Sequence, residues 1–530
     1  MGSVTDLPNS TDSTPPLSPF KVLIIGGAYG GLSAALNLQD LCSGLAPRCG
    51  PPPKEGDEAE ERPQIPIEVT IIDERDGFYH LIGSPLALAD EEYAAKAWAK
   101  YQDIPALQGT NSNIRVLHGS VQTVDINAKI ATYSPRGIQV GTQTAATIHL
   151  PYDYLVVASG LRRPFPVVPQ SLRRKQYLFE AESHIRAVTA SRHGVVVVGG
   201  GAVGIEMAAE LKLVHPHLKV TLVHSRDKLL SSEALPDQVK DKSLELLREA
   251  GVNVILSRRL NRSEDTVDAQ GNGCVRLHFS SSSTSPSGDT ILADHVIMAV
   301  SKPVPTTLGM LPTSVLDDEG YVRIIANLAF PPSSDPTPPP ETETEKGTES
   351  HFAIGDVVRW SGIKRCGGAM YMGYLAAHNI HQRMQHNIQG IRPGGKGTEI
   401  NSNDLKLDNE IPPMIGLAIG KKAVAYWPEA GMTFGEDVMG AFFGTDLGFT
   451  SEFFFPLLFS FFFFFSLPPP FLLLLLPALL CPALLLLSLV SVLCDTPGDL
   501  TDSTQNQYVG TTFGWGRRKS DISGKTGDKR

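Results

Sequence analysis

The sequence predicts an α/β protein of two parallel-sheet units, the first interrupted by the second, with a small α+β unit toward the C-terminus. Two stretches carry that prediction. A continuous apolar run, Val22-Leu23-Ile24-Ile25, leads into Gly26-Gly27-Ala28-Tyr29-Gly30-Gly31 and then into Leu32, Ala34, Ala35, Leu36 and Leu38 at helical spacing. About one domain later, Val195-Val196-Val197-Val198 leads into Gly199-Gly200-Gly201-Ala202-Val203-Gly204, with Ile205, Ala208, Ala209 and Leu211 behind it. An unbroken apolar run suits a parallel strand buried on both faces, and the glycines allow a tight strand-to-helix turn. At such a turn the free N–H groups and the helix dipole favour an anion, the pyrophosphate of a dinucleotide. Either turn alone also fits an ordinary helix-capping turn; the pair, with matching flanks, points to two Rossmann-like dinucleotide-binding domains.

The copies differ in detail. Gly199, Gly201 and Gly204 complete the glycine pattern, whereas Ala28 stands where the first copy should carry its middle glycine, and its methyl group is expected to narrow the approach of a phosphate. The strand after the first turn, Glu68-Val69-Thr70-Ile71-Ile72, ends at Asp73, a carboxylate where an adenosine ribose would present its hydroxyls. Residues 43–64, rich in proline and acidic side chains, read as a solvated insertion that delays it. The equivalent strand of the second copy, 219–223, ends at His224-Ser225-Arg226 without a carboxylate. Arg226 there suits a 2′-phosphate and tilts the second site toward NADPH over NADH; the alternative is a solvent-facing charge.

Composition bounds the rest. A chain of 530 residues with 42% hydrophobic and 19% charged content holds two or three domains with sizeable cores. A net charge of −10 argues against nucleic acid as a principal partner. The six cysteines include no C-x-x-C, so a catalytic disulfide is not expected, and no metal site is expected either. Residues 1–19 are rich in Ser, Thr and Pro and read as disordered, with neither a secretory nor a mitochondrial signal, which gives a cytoplasmic expectation.

Between the turns, the alternating stretch 113–125 and the buried run Tyr154-Leu155-Val156-Val157, ending in Ala158-Ser159-Gly160, read as further strands of the first unit. With the late Ala353-Ile354-Gly355-Asp356, these elements resemble the two-dinucleotide flavoprotein disulfide-reductase superfamily of pyridine nucleotide oxidoreductases. The phrases V-T-L-V-H-S-R-D-K-L-L (220–230) and L-A-I-G-K-K-A-V-A-Y-W-P-E-A-G-M (417–432) narrow the resemblance to apoptosis-inducing-factor-like proteins of fungal type, the group that includes the ferroptosis suppressor quinone reductase.

That resemblance implies an FAD-binding domain in 20–190 and 351–390, an NAD(P)H-binding domain in 191–325, a proline-rich loop in 331–350 and a C-terminal subdomain in 411–450. It implies FAD contacts at Gly26, Gly27, Ala28, Gly30, Gly31, Asp73, Val121, Gly160, Gly355 and Asp356, and NAD(P)H contacts at Gly199, Gly201, Gly204, Glu206 and Arg226. Three of these have plainer alternatives: Asp356 as a helix N-cap, Val121 as a core strand residue, Glu206 as an exposed first-turn acid. A helix over 367–384 would point its positive end at the flavin. Hydride would pass from NADPH or NADH to FAD and on to a small-molecule quinone or other acceptor, with no catalytic side chain beyond the flavin; the apolar slot for a quinone would be lined by Met370, Tyr371, Met372, Tyr374 and the 417–427 segment. The alternative is an NAD(P)H-regulated redox signalling or binding protein with slow oxidase activity.

Residues 453–494 carry no charge and are long enough to span a bilayer, so membrane contact through a tail anchor is one reading. Six prolines, Pro456, Pro468, Pro469, Pro470, Pro477 and Pro482, and a composition dominated by Phe, Leu, Pro and Ser give the other, a translated polypyrimidine tract from a retained intron, followed by a polar tail over 495–530.

Overall fold

The computed structural model describes residues 18–48, 63–109, 112–136, 147–280, 290–300, 304–331, 350–359, 366–391, 413–444 and 446–448. The chain divides at 467/468, and every element below lies in residues 1–467, which hold both sheet units. The expectations for 1–17, for most of the 43–64 insertion and the 331–350 loop, and for 453–494 and 495–530 fall outside the described residues.

The first sheet begins with β1 (Phe20–Ile25), which leads through the first glycine turn into α1 (Tyr29–Cys42). It continues with β2 (Ile67–Asp73), β3 (Ile114–Asp125), β4 (Ile130–Pro135), β5 (Ile148–Pro151) and β6 (Tyr154–Val157). A second layer follows: α2 (Arg174–Thr189), β7 (Val195–Val198), α3 (Ala202–Val214), β8 (Val220–Val223), α4 (Asp237–Glu249) and β9 (Asn253–Ile255). Then come β10 (Leu260–Val267), β11 (Gly273–Phe279), β12 (Thr290–Ala293) and β13 (His295–Met298). The chain re-enters the first sheet with β14 (His351–Ala353) and α5 (Cys366–Ile391), and the described part ends with β15 (Ile415–Ile419), β16 (Lys422–Trp427), β17 (Gly431–Gly435) and α6 (Glu436–Phe442).

Strand order in the first sheet is β14-β6-β1-β2-β3-β4-β5. The five strands from β14 to β3 pair in parallel, and β3-β4-β5 add an antiparallel meander, so the sheet is parallel-rich and mixed. The second sheet, β9-β8-β7-β13, is wholly parallel, with the antiparallel β10-β11-β12 set beside it. In both sheets the strand before the glycine turn has neighbours on each side reached by opposite crossovers. That is the switch point at which α/β sheets open a crevice beyond their strand ends.

Two chain passages join the units. The chain leaves the first at Gly160 and returns at Val304, and Leu161–Arg162 pairs antiparallel with Val304–Pro305. Thr306 Oγ1 donates to Ser159 Oγ at 2.6 Å, which ties the returning strand to the Ala158-Ser159-Gly160 turn. The β15-β16-β17 meander lays Ile415, Leu417, Ile419 and Val424 into the same apolar core as α3 and α4 of the second unit.

Helix α1 explains the depth of the first core. Every one of its residues except Gln39 is buried, as expected of a helix held between a sheet and a second helix rather than on a surface. The second helix is α5, and the two approach backbone to backbone. A methyl group on Gly373 would lie 2.7 Å from the Gly30 carbonyl oxygen and 2.9 Å from Ser33 Cβ, while Ser33 Oγ donates to the Met370 carbonyl at 2.7 Å. Alanine in place of a helical glycine ordinarily gains about 1 kcal/mol. At Gly373 the clash is with backbone, which cannot swing away, so overpacking outweighs that gain. We expect Gly373→Ala to lose about 1–2 kcal/mol net in urea unfolding followed by circular dichroism; a stabilised variant would contradict this packing.

Candidate functional site

The two glycine turns are built alike, atom for atom where the backbone is closest. Gly26 sits at φ +104° and Gly199 at φ +123°, a conformation that L side chains rarely adopt. A methyl group on Gly31 would stand 1.8 Å from the Gly26 carbonyl oxygen, and one on Gly204 would stand 2.0 Å from that of Gly199. The last glycine therefore lets each helix close onto the first glycine of its own turn.

The middle position behaves differently. Gly201 has φ −79° and a methyl group there would meet nothing within 4 Å; Ala28, its counterpart, has φ −89° and is exposed. Alanine thus costs the fold nothing at this position, and its methyl group faces the open space at the N-terminus of α1.

The second glycine of each turn is held through both its backbone groups. Gly27 N–H donates to Asp73 Oδ2 at 2.6 Å, and its carbonyl accepts from Tyr101 Oη at 3.0 Å. Gly200 N–H donates to His224 Nδ1 at 3.1 Å, and its carbonyl accepts from the Leu230 N–H at 2.8 Å. Asp73 and His224 occupy the same place, the C-terminal end of the neighbouring strand. Asp73 also accepts from the Arg75 N–H at 2.7 Å. Burial raises its carboxyl above the usual range, against the pull of the Arg75 charge and of the two N–H groups. His224 is depressed below the ordinary histidine value, by burial first and by Arg226 second.

Gly355 and Asp356 form a single 3-10 turn directly after β14, at φ +75° for the glycine. Ile354, just before them, packs on Gly30, and a methyl group on either Gly30 or Gly355 would lie 3.2 Å from Ala369 of α5. The turn therefore stands beside the first glycine loop. The long helix begins at Cys366 rather than 367. Gly160 has φ +69° with open space around it, and Val121 is a half-buried strand residue beside a register shift in the pairing of β3 with β4.

The remaining residues are distributed as follows. Arg226 is exposed beyond β8 and donates through Nη1 to the Ser231 carbonyl at 3.1 Å. Glu206 is half-buried rather than exposed, and it lies past the first turn of α3, which starts at Ala202; β15 covers it there, with the Ala418 N–H facing its carboxylate. Burial, and then the neighbouring carboxyl of Glu210, push Glu206 up to about 8. Glu210, 2% exposed and one helical turn later, is pushed up to about 8 by burial alone, and its Oε1 has no hydrogen-bond partner among the described residues.

The expected apolar slot is not formed by the residues named for it. Met370, Met372, Tyr374, Leu417 and Val424 are at most 2% exposed and belong to the two cores; among those expected, Tyr371, Tyr426 and Trp427 keep partial exposure. Aromatic and methionine residues at helical spacing on a helix covered from both sides are core first.

Sequence reasoning also missed a buried connection from the first turn to the C-terminal segment. Tyr29 Oη lies 3.2 Å from His80 Nδ1, and His80 Nε2 lies 3.0 Å from the Leu447 carbonyl. Nε2 must carry the proton for that carbonyl, so Nδ1 is the acceptor for Tyr29. Burial holds His80 down at about 4, which keeps the ring neutral. Tyr93 Oη fastens the same segment by donating to the Asp446 carbonyl at 2.9 Å.

The Glu206 and Glu210 shifts set a direction for stability against pH. Both folded values lie above the unfolded value of 4.5, so from about pH 4.5 to about 8 the folded state retains protons that the unfolded state has released. Stability then falls as pH rises, by about 1.4 kcal/mol per unit for each retained proton, and levels off above that window. Glu210→Gln is expected to flatten the slope of unfolding free energy between pH 5 and 8. An unchanged slope in parallel urea titrations would show that Glu210 is ionised in the fold.

Residues 20–373 match the family model described as pyridine nucleotide-disulphide oxidoreductase. The chain is 46% identical over 442 residues to oxidoreductase OXR1 of Ajellomyces capsulatus, across 83% of this chain and 88% of that one. It is 30% identical over 245 residues to human ferroptosis suppressor protein 1, across 46% of this chain and 54% of the relative, about half of each. In fold it is similar to the sulfide:quinone oxidoreductase of Aquifex aeolicus, with a TM-score of 0.51 at 18% identity, across 79% of this chain and 88% of that structure. The paired turns and these matches lead to one conclusion: the chain belongs to the pyridine nucleotide-disulphide oxidoreductases, enzymes that depend on FAD and NAD(P)H.

Proposed function

We propose that this protein draws hydride from NAD(P)H onto FAD and passes the electrons to a quinone. The observation that carries this is the duplication of one nucleotide cradle in a single chain, with Gly355 and Asp356 brought only to the first copy. Bound FAD supplies the two-electron carrier between the partners.

The protein's share is binding, orientation and field. At the first turn, Gly26, Gly27, Ala28, Gly30 and Gly31 present the α1 N-terminus to a pyrophosphate, and Asp73 keeps lone pairs for a ribose beyond those it lends to Gly27 and Arg75. Val121 would meet the adenine, while Gly160, Gly355 and Asp356 would hold the flavin end. At the second turn, Gly199, Gly201 and Gly204 present the α3 N-terminus, Glu206 stands near the nicotinamide and Arg226 offers a guanidinium to a 2′-phosphate.

A quinone suits this chain better than a disulfide substrate. Reduction of a disulfide in this family's manner needs a reactive thiol pair, whereas the sequence holds no C-x-x-C and, among the described residues, Cys42 and Cys274 are buried. The similarity to ferroptosis suppressor protein 1 supports the same acceptor class. Among the described residues no helix is long and apolar enough to cross a membrane.

Stopped-flow reoxidation of the reduced flavoprotein by ubiquinone, by a disulfide and by oxygen tests the reading. Fast reoxidation by the quinone alone is expected; equal rates with the disulfide, or none with any acceptor but oxygen, would overturn it. Arg226→Ala is expected to raise KM for NADPH selectively, with a loss of about 1.5–3 kcal/mol for one charge-assisted phosphate contact. Equal effects on NADH and NADPH would contradict that role.

A further inference from the structure

Helix α2 carries a groove that neither glycine turn accounts for. Phe165, Lys175, Phe179, Glu180, His184 and His295 line it, and its volume of about 750 Å³ is that of a small-molecule site. His295 opens β13 and pairs with Val195, the first residue of β7, whereas Gly199 follows the last. The groove and the second turn therefore lie at opposite ends of the same strand, and a ligand in one does not occupy the other. The walls are aromatic. Phe179 stands 72% exposed on the outer side of α2, a large ring that the fold itself leaves uncovered.

His184 is the anomaly in this lining. It is 4% exposed, and its ring lies edge to face with Phe165 at 5.4 Å and with His295 at 5.0 Å between centroids. Its Nδ1 is buried with no hydrogen-bond partner among the described residues. Burial, and then His295 beside it, hold the ring down at about 3, so it is uncharged at neutral pH. A buried polar ring left unbonded costs stability that an apolar ring in the same place would not. An orphaned lone pair is commoner than an orphaned N–H, so the proton sits on Nε2, the donor that His184 offers a ligand. Lys175 adds a cation at the rim. Glu180, the acid on the lining, is already engaged, accepting from the Gln170 N–H at 3.0 Å and the Ser171 N–H at 3.1 Å.

We propose that this groove binds an aromatic carboxylate, with the ring of the ligand against Phe165 and Phe179 and its carboxylate taken by His184 and Lys175. Aromatic walls favour a flat ring over an alkyl chain, through edge-to-face and stacked contacts. A donor and a cation favour an anionic acceptor over a neutral or cationic group. The ligand is neither the flavin, the nucleotide nor the electron acceptor, so the site stands apart from the hydride path.

Calorimetric titration of the flavin-loaded protein with 1-naphthoate, with and without saturating NADP+, tests the assignment without turnover. The wild type is expected to bind with Kd below about 1 mM, and equally well in the presence of NADP+. His184→Phe keeps the ring and removes the donor, and is expected to weaken binding by about tenfold. Lys175→Gln, an exposed change that leaves the fold intact, is expected to weaken it by about threefold and decides the matter should His184→Phe be recovered without flavin. Neither variant that retains flavin is expected to alter the rate at which NADPH bleaches it. Absence of naphthoate binding overturns the proposal, as does displacement of naphthoate by NADP+, which would place it at the second turn. Unchanged affinity in a folded His184→Phe, or 1-naphthalenemethanol binding as tightly as 1-naphthoate, overturns the recognition of the carboxylate.

Discussion

The structure depends on how closely a helix can close onto the strand that feeds it. At both turns the last glycine stands against the carbonyl oxygen of the first, which lies 1.8 Å from where a methyl group of residue 31 would be and 2.0 Å for residue 204. That closeness sets the helix axis over the strand end and aims its free N–H groups at one point beyond the sheet. The other parts of each site follow from it: the second glycine is lashed to the neighbouring strand, and in the first unit α5 packs backbone to backbone on α1 through Gly30 and Gly373.

The C-terminal region shapes the electrostatics of the second unit. The β15-β16 hairpin half-buries Glu206 of α3, and Glu210 one turn on keeps an oxygen without a partner among the described residues. Burial pushes both carboxyls up to about 8. The segment after α6 fastens to the first unit through His80 and Tyr93. One stretch of chain thus braces both units.

The turns themselves were legible because their signal is local: an apolar strand, glycines at fixed offsets, and a helix of small residues. Gly355 and Asp356 were legible only through resemblance, since nothing within a few residues of them reveals that Ile354 reaches Gly30. His224, which accepts from Gly200 as Asp73 accepts from Gly27, was hidden because a carboxylate is the residue type that marks such a strand end; alignment of the two strand ends sets it opposite Asp73. Tyr101, which holds Gly27 from a distant loop, leaves no sequence trace. Met370, Met372 and Tyr374 looked like the lining of a slot because an apolar stripe does not state what covers it, and α1 covers this one. Glu206 looked exposed for the same reason, its cover arriving from β15.

The central claim is that the turns are separate sites, the first for the flavin and the second for the nucleotide that reduces it. Anaerobic titration of Gly204→Ala with NADPH, followed by flavin absorbance, tests this most directly. The account predicts a protein that retains its flavin and is not bleached by NADPH, because the added methyl group displaces α3 from its own turn and leaves α1 undisturbed. A variant purified without flavin, or one bleached as readily as the wild type, would contradict it.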